Sequence, residues 1–287
     1  MSLPAVANAI EKVRESVAAA RTKTLRIGLV PTMGALHAGH ISLIRAARAE
    51  TGYVVVSIFV NPTQFGPRED LSRYPRPLDQ DRSICGSEGV DLVFVPDVAT
   101  VYPPGFETFV EVTQLQKVLC GPSRPGHFRG VATVVLKLFN IVQPDTAYFG
   151  QKDGQQARII QQMVRDLDMP IEIRVCPIVR EPDGLALSSR NQYLDPEQRR
   201  QATVLYCALE TSRRLIDAGE RDSSVLLGRM TELIRSDPSA LIDYIAIVDA
   251  DSLKAVDQLE GTVMLALAVK FGETRLIDNL KLSIPRL

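Results

Sequence analysis

Leu25-Arg26-Ile27-Gly28-Leu29-Val30-Pro31-Thr32-Met33-Gly34-Ala35-Leu36-His37-Ala38-Gly39-His40-Ile41-Ser42-Leu43-Ile44-Arg45-Ala46-Ala47 is the stretch that decides the fold. Its first six residues form an apolar run that reads as a buried strand ended by Pro31. From residue 40 to residue 50 the apolar positions Ile41, Leu43, Ile44 and Ala47 recur at helical spacing. The order is strand, glycine-bearing loop, helix. A second apolar, β-branched run over residues 54–60 follows directly, which makes a βαβ unit with a parallel pair of strands. Right-handed crossover then places the first loop at the carboxyl edge of the sheet.

Working outward, residues 91–95 read as a third strand, 131–142 as a helix, 146–149 as a short strand, 155–167 as a helix and 171–175 as a strand. This alternation predicts an α/β fold, a Rossmann-like doubly wound parallel sheet over residues 1–180. Beyond a boundary within residues 178–195, Asp195-Pro196-Glu197-Gln198 supplies an N-cap, a proline at the first helical position and a capping-box glutamine. A helix running toward Gly219 is expected there. A further helix over 223–236, stopped by Asp237-Pro238, precedes strand-like runs at 243–248, 263–269 and 274–278, which suit a second, smaller α+β domain over residues 181–287.

Composition excludes several classes of function. The formal net charge is −1, with 33 Lys and Arg spread along the chain against 34 Asp and Glu, so no basic face for nucleic acid is expected and a small-molecule substrate is. Cys85, Cys120, Cys176 and Cys207 contain no C-x-x-C pair, which argues against a zinc site or a disulfide framework. The alanine-rich segment 1–23 carries Glu11, Glu15 and four Lys/Arg residues and lacks a signal-peptide core. No stretch approaches the roughly 20 apolar residues of a membrane span. The expectation is a cytoplasmic protein without a membrane partner.

Histidines are more informative, because His37, His40 and His127 all fall in Gly- or Pro-containing segments that read as loops. Residues 31–40, set between strand and helix, direct backbone N–H groups and the positive helix end at whatever lies above the sheet edge, and an anion such as phosphate meets that need. Gly39 removes a side chain where a base or ribose approaches. His37 and His40, three apart, are neighbours if the helix begins there and add donors of a residue type able to carry charge near neutral pH. A bare H-x-G-H is ordinarily two surface histidines near a turn. Its place directly after the first strand of a βαβ unit is what makes it resemble the signature of the nucleotidyltransferase superfamily.

Further blocks narrow the resemblance: Pro31-Thr32-Met33-Gly34; Phe59-Val60-Asn61-Pro62-Thr63-Gln64-Phe65; Ser123-Arg124-Pro125-Gly126-His127-Phe128-Arg129-Gly130-Val131; Tyr148-Phe149-Gly150-Gln151-Lys152-Asp153; Leu187-Ser188-Ser189-Arg190-Asn191; and Arg275-Leu276-Ile277-Asp278-Asn279. In this order, across nearly the whole chain, they resemble the pantothenate synthetase family, the pantoate–β-alanine ligases. Each block also has a chemical sense of its own. The proline loop Asn61-Pro62-Thr63-Gln64 presents an uncharged amide at the sheet edge. Arg124, His127 and Arg129 cluster in a Gly/Pro loop where cationic donors are able to converge on phosphate, with a solvated charged loop as the competing view. Lys152 offers a compact charge to phosphates and Asp153 an acceptor for a ribose hydroxyl. By composition alone, residues 187–190 would pass for a linker.

The resemblance implies ATP-dependent condensation of pantoate with β-alanine to pantothenate, through pantoyl adenylate, with release of pyrophosphate and AMP. It implies His40 as the main catalytic group, with His37 and Lys152. It implies ATP contacts from Met33, Gly34, Ala35, Leu36, His37, Ala38, Gly39, His40, Gly150, Gln151, Lys152, Asp153, Val179, Leu187, Ser188, Ser189 and Arg190. Gln64 and Gln156 are assigned to pantoate and Gln64 also to β-alanine. Residues 187–190 are likened to a closing triphosphate loop, Mg²⁺ is expected on the phosphates with no protein ligands named, and a homodimer is expected. The chain departs from the family pattern at Gln151, where an acidic residue is usual, and at Gly154, where an aromatic is usual. Rival expectations are a nucleotidyltransferase acting on a phosphate-bearing acceptor, a tRNA synthetase without a visible RNA-binding extension, an oxidoreductase lacking G-x-G-x-x-G, and a nucleotide-binding protein without catalysis.

Overall fold

The computed structural model describes residues 3–67 and 69–285. The first two residues of the 1–23 segment and the last two of the expected 181–287 domain therefore lie outside the described residues. In chain order the elements are β1 (Ala5–Ala7), α1 (Ile10–Arg21), β2 (Ile27–Thr32), α2 (Ala38–Glu50), β3 (Tyr53–Ile58), α3 (Leu78–Ser87), β4 (Leu92–Phe94), α4 (Val98–Val101), α5 (Cys120–Ser123), α6 (His127–Val142), β5 (Thr146–Gly150), α7 (Gly154–Asp166), β6 (Glu172–Cys176), α8 (Pro196–Gln201), α9 (Val204–Asp217), α10 (Ser223–Arg235), β7 (Ala240–Asp249), β8 (Gly261–Phe271) and β9 (Thr274–Ile284).

Six strands form one parallel sheet in the order β1-β4-β3-β2-β5-β6, and β7-β8-β9 form an antiparallel sheet. The expected Rossmann-like doubly wound sheet and small α+β sheet are both present. Strand order runs outward from β2 through β3 to β4, then resumes on the other flank at β5. The crevice between the carboxyl ends of β2 and β5 is thus the topological switch point. Side-chain alternation explains why both faces are covered. Leu29, Val55, Ala147 and Phe149 pack into the core shared with α1, α6 and α7, while Val30, Val54, Val56 and Tyr148 pack with Leu43, Ile44 and Ala47 of α2.

The strand expected to end at Pro31 continues through it to Thr32. The carbonyls of Arg26 and Thr32 accept from Gly52 and Phe59 on the β3 side, at 3.0 and 3.1 Å, whereas that of Ile27 accepts from Asp145 on the β5 side at 2.9 Å. By that alternation Pro31 turns its missing N–H toward β5, where pairing has already ended at Leu29 and Ala147. The proline therefore removes no ladder bond, and it sits where β2 and β5 are no longer paired. Strand β1 escapes a reading by pattern because three residues, Ala-Val-Ala, carry no period; its register against β4 supplies the structure. The single helix expected from 195 toward 219 is two helices. Its start is as read, with Asp195 accepting from Glu197 and Gln198. The break falls at Ala202 and Thr203, where the Thr203 hydroxyl donates to the carbonyl of Arg200 at 2.7 Å.

Two compact units result. The sheet unit comprises Met1–Gln116, Arg124–Gln151 and Gln156–Pro177; the C-terminal unit comprises Lys117–Ser123, Lys152–Gln155 and Ile178–Leu287. Leu205, Leu209 and Ile216 of α9 and Leu226, Met230 and Ile234 of α10 cover Val263, Leu265, Leu267 and Val269 of β8 in the second unit. Among the described residues, no helix is long and apolar enough to cross a membrane.

Candidate active site

In the sheet unit, the turn after β2 reverses through left-handed backbone. Gly34 and Ala35 both adopt left-handed backbone, at φ 86° and 51°. Thr32 begins the turn: its hydroxyl donates to the Ser57 carbonyl at 2.7 Å and accepts from the Gly34 N–H at 3.1 Å. The reversal is then held from outside by Asp81 of α3, 1% exposed, whose two carboxylate oxygens accept from Ala35 N–H at 2.9 Å and Leu36 N–H at 2.7 Å. Burial pushes the Asp81 carboxyl up from its ordinary value, and those two N–H groups pull it partly back. Pattern reading missed Asp81. An acidic residue in the first turn of a helix is ordinary, and only the fold brings it beneath residues 35 and 36.

The turn delivers His37 to the N-cap of α2. Its Nδ1 accepts from the Gly39 N–H at 3.1 Å, while His40 Nδ1 accepts from the His37 N–H at 3.3 Å, and the ring centroids are 4.2 Å apart. A backbone N–H can only donate. Both Nδ1 atoms are therefore acceptors, and each neutral ring carries its proton on Nε2. Two imidazoles in one tautomer thus stand on the positive end of a helix with no acidic residue in its first turn. Ala38 and Gly39 form the helix start, and Leu36 is buried.

A second group lies on the loop after β3. Asn61, 1% exposed, accepts through Oδ1 from the Thr63 N–H at 3.3 Å, the Thr63 hydroxyl at 2.9 Å and the Tyr102 hydroxyl at 2.8 Å. Its Nδ2 donates to Gln64 Oε1 at 3.0 Å and to the Gly130 carbonyl at 3.2 Å. The Thr63 N–H fixes which way the Asn61 amide points. Asn61 in turn fixes Gln64, whose Nε2 edge faces Met33 Sδ at 3.0 Å. Gly130 makes this approach possible: a Cβ there would stand 2.3 Å from the Thr63 carbonyl oxygen.

The Arg124, His127 and Arg129 cluster separates in the structure. Arg124 forms a two-pronged ion pair with Glu69, both bonds 2.7 Å, and meets His127 Nε2 at 2.9 Å. His127 is buried at the start of α6, with Nδ1 2.8 Å from the Gln64 carbonyl. That carbonyl can only accept, so Nδ1 carries the proton and Nε2 accepts from the guanidinium. Burial raises the Glu69 carboxyl, but the Arg124 bonds and charge outweigh it and hold the group below its usual range. Arg129 goes elsewhere, paired with Glu111 at 3.5 Å and stacked over Phe109 at 3.8 Å. Pattern reading passed over Glu69, which carries no motif.

At the end of β5, Gly150 leads into a 3-10 turn over Gln151–Asp153, and Gln156 occupies the first turn of α7. In the C-terminal unit, Lys152 is 3.6 Å from Asp153 and its side chain is 20% exposed. Val179 accepts from the Leu187 N–H at 3.0 Å, closing a small loop. Ser188 caps the 3-10 turn Ser189–Tyr193 by accepting from the Arg190 N–H at 3.3 Å. Ser188, Ser189 and Arg190 thus lie on a capped turn of defined shape.

A family model described as Pantoate-beta-alanine ligase matches residues 5–281. Pantothenate synthetase from Moorella thermoacetica is 60% identical over 275 residues, covering 96% of this chain and 97% of that one. The crystal structure of pantothenate synthetase from Thermus thermophilus superposes with a TM-score of 0.92 at 46% identity, covering 96% of this chain and 98% of that one. The pantoate-beta-alanine ligase of Francisella tularensis, complexed with beta-gamma ATP and beta-alanine, superposes with a TM-score of 0.77 at 38% identity, covering 96% and 97%.

Proposed function

Since this chain belongs to the pantoate-beta-alanine ligase family, we infer that it condenses pantoate with β-alanine using ATP, by way of pantoyl adenylate. It is an ATP-dependent ligase. The pantoate carboxylate attacks the α-phosphorus and expels pyrophosphate; the β-alanine amine then attacks the acyl carbon and expels AMP. Both nucleophiles come from substrates, so the protein's contribution is placement and charge.

The observation that carries the residue roles is the paired imidazole geometry at the switch point. With both Nδ1 atoms accepting from backbone, Nε2–H is the donating edge of His37 and His40. We assign His40 to stabilising the phosphate oxygens of the adenylation transition state and His37 to an ATP contact beside it. Met33 to Leu36 with Ala38 and Gly39 line the nucleotide. Gly150, Gln151, Lys152, Asp153, Val179 and residues 187–190 are assigned to ATP as well, with Lys152 supplying positive charge to the phosphates. Gln64 and Gln156 are assigned to pantoate. The Gln64 Nε2 edge, directed by Asn61, suits the oxygen-rich acid. For β-alanine, Gln64 is the assigned contact. Arg129 is left out of the phosphate assignment by its stacking on Phe109. Arg124 and His127 serve Gln64 through its carbonyl.

Mg²⁺ is proposed to enter with the nucleotide, held by phosphate and water oxygens. Among the described residues no group of three or more His, Cys, Asp or Glu is placed to form a protein cage. A homodimer and a cytoplasmic location complete the proposal, and light scattering of the purified protein tests the former. The main test is AMP release with pantoate and β-alanine together and with each omitted in turn. AMP is expected only from the complete mixture, and its absence there sinks the assignment. Pantoate-dependent pyrophosphate exchange separates this ligase from a nucleotidyltransferase with a phosphate-bearing acceptor. In that exchange His40→Ala is expected to be slower by roughly 10² to 10⁴.

A further inference from the structure

The stretch Arg275-Leu276-Ile277-Asp278-Asn279 has no place in the reaction as described, yet strand β9 carries it into the interior of the C-terminal unit. Asp278 and Asn279 are 2% and 5% exposed. The Asn279 side-chain Nδ2 donates to the main-chain carbonyl of Lys152 at 3.0 Å. That carbonyl can only accept, so the amide orientation is determined. The backbone of Asn279 is itself held, because its N–H donates to Asp278 Oδ1 at 2.8 Å. Asp278 is in turn gripped by both arms of Arg180, at 2.6 and 2.9 Å. The Arg180 guanidinium also donates to the Gly184 carbonyl at 3.0 Å and lies over the Tyr206 ring at 4.6 Å.

Lys152 sits in a 3-10 turn, and its neighbour at the end of that segment is fastened in the same manner. Gln155, 6% exposed, donates from Nε2 to the Val118 carbonyl at 2.6 Å and accepts from the Cys120 N–H at 3.0 Å. Two buried amide side chains, one at each end of Lys152–Gln155, thus set the path of this four-residue segment within the C-terminal unit. A lysine side chain has four rotatable methylenes, so its ammonium can be directed only if its root is fixed.

We propose that Asn279 is a positioning residue for Lys152, holding the main-chain root of that lysine so that its ammonium meets the ATP phosphates. This rests on the assignment of Lys152 to ATP made above. In this proposal Asn279 acts through the main chain of Lys152.

The test is a double-mutant cycle on Lys152→Ala and Asn279→Ala, with ATP varied at saturating pantoate and β-alanine. Asn279→Ala is expected to lower kcat/KM for ATP by about 10- to 100-fold, the effect of a reacting group misplaced by about 1 Å. The KM values for pantoate and β-alanine should stay within about twofold of wild type. In the Lys152→Ala background, adding Asn279→Ala should cost less than about twofold more, because a residue acting through Lys152 has nothing left to position. Additive losses in the double variant would mean that Asn279 is merely structural and would overturn the proposal, as would an Asn279→Ala enzyme of wild-type kcat/KM. Full activity in Lys152→Ala would overturn the parent assignment instead. Asn279→Asp, which keeps the shape but cannot donate, should repeat the pattern if the alanine variant folds poorly.

Discussion

Asp81→Ala is the substitution whose effect the turn after β2 most sharply defines. It removes the acceptor of two main-chain N–H groups, Ala35 at 2.9 Å and Leu36 at 2.7 Å, in a turn already committed to left-handed backbone at Gly34 and Ala35. Leaving two such donors without this carboxylate costs about 1–3 kcal/mol each. Part of that is offset, because burial raises the Asp81 carboxyl and the substitution relieves an incompletely compensated buried charge. The net loss is thus about 2–4 kcal/mol, a fall in Tm of roughly 5–15 °C for a domain of this size. Because the same turn sets the His37 N-cap, pantoate-dependent pyrophosphate exchange should fall by about 10- to 100-fold even at temperatures where the variant is folded. Asp81→Asn keeps one acceptor and should lose roughly half as much stability. The assay is thermal unfolding followed by circular dichroism, with exchange measured well below the transition. A Tm within about 2 °C of wild type together with undiminished exchange would refute the view that Asp81 holds the turn.

Gly130→Ala should drive the Thr63 and Gln64 backbone away from α6, since the new Cβ would stand 2.3 Å from the Thr63 oxygen and 2.7 Å from the Gln64 nitrogen. A stability loss of about 1–3 kcal/mol is expected along with a raised KM for pantoate, and an unchanged pantoate KM would count against Gln64 as its contact. The Glu69 carboxyl lies below its unfolded value, so the stability gained from its pairing with Arg124 is complete at neutral pH. It is lost as pH falls through the folded-state value, below the usual carboxylate range near pH 4. Denaturant midpoints of wild type and Glu69→Gln should therefore converge in acid; a gap that persists or widens there contradicts the pairing. Burial pushes the Cys85 thiol up to about 12, whereas Cys207 is exposed. Iodoacetamide at pH 8 on the folded protein should label Cys207 and spare Cys85 by peptide mass spectrometry, and equal labelling would contradict the burial of Cys85.

Local chemistry determined a good deal of this protein. Alternating apolar runs around a glycine-bearing loop specify a parallel α/β sheet, because parallel strands need crossovers and strands buried on both faces must be apolar on both. The Asp195 cap likewise appears where Asp-Pro-Glu-Gln placed it. The H-x-G-H turn and the other blocks were legible as a resemblance to the pantoate-beta-alanine ligase family, to which the match over residues 5–281 shows the chain belongs. Other features were decided only in three dimensions. Pro31 lies inside a strand because pairing with β5 has already ended beside it, which no window of sequence reveals. Arg129 looked like a partner of Arg124 and His127 by proximity in sequence, but the turn of α6 carries it to Glu111 and Phe109. Asp81 under the turn, Glu69 behind Arg124 and Asn279 under Lys152 are 45 or more residues from what they hold. An isolated Asp, Glu or Asn carries no period and no spacing rule. Its role depends on which main-chain donors and acceptors the fold leaves buried beside it, and that is a property of the tertiary structure alone.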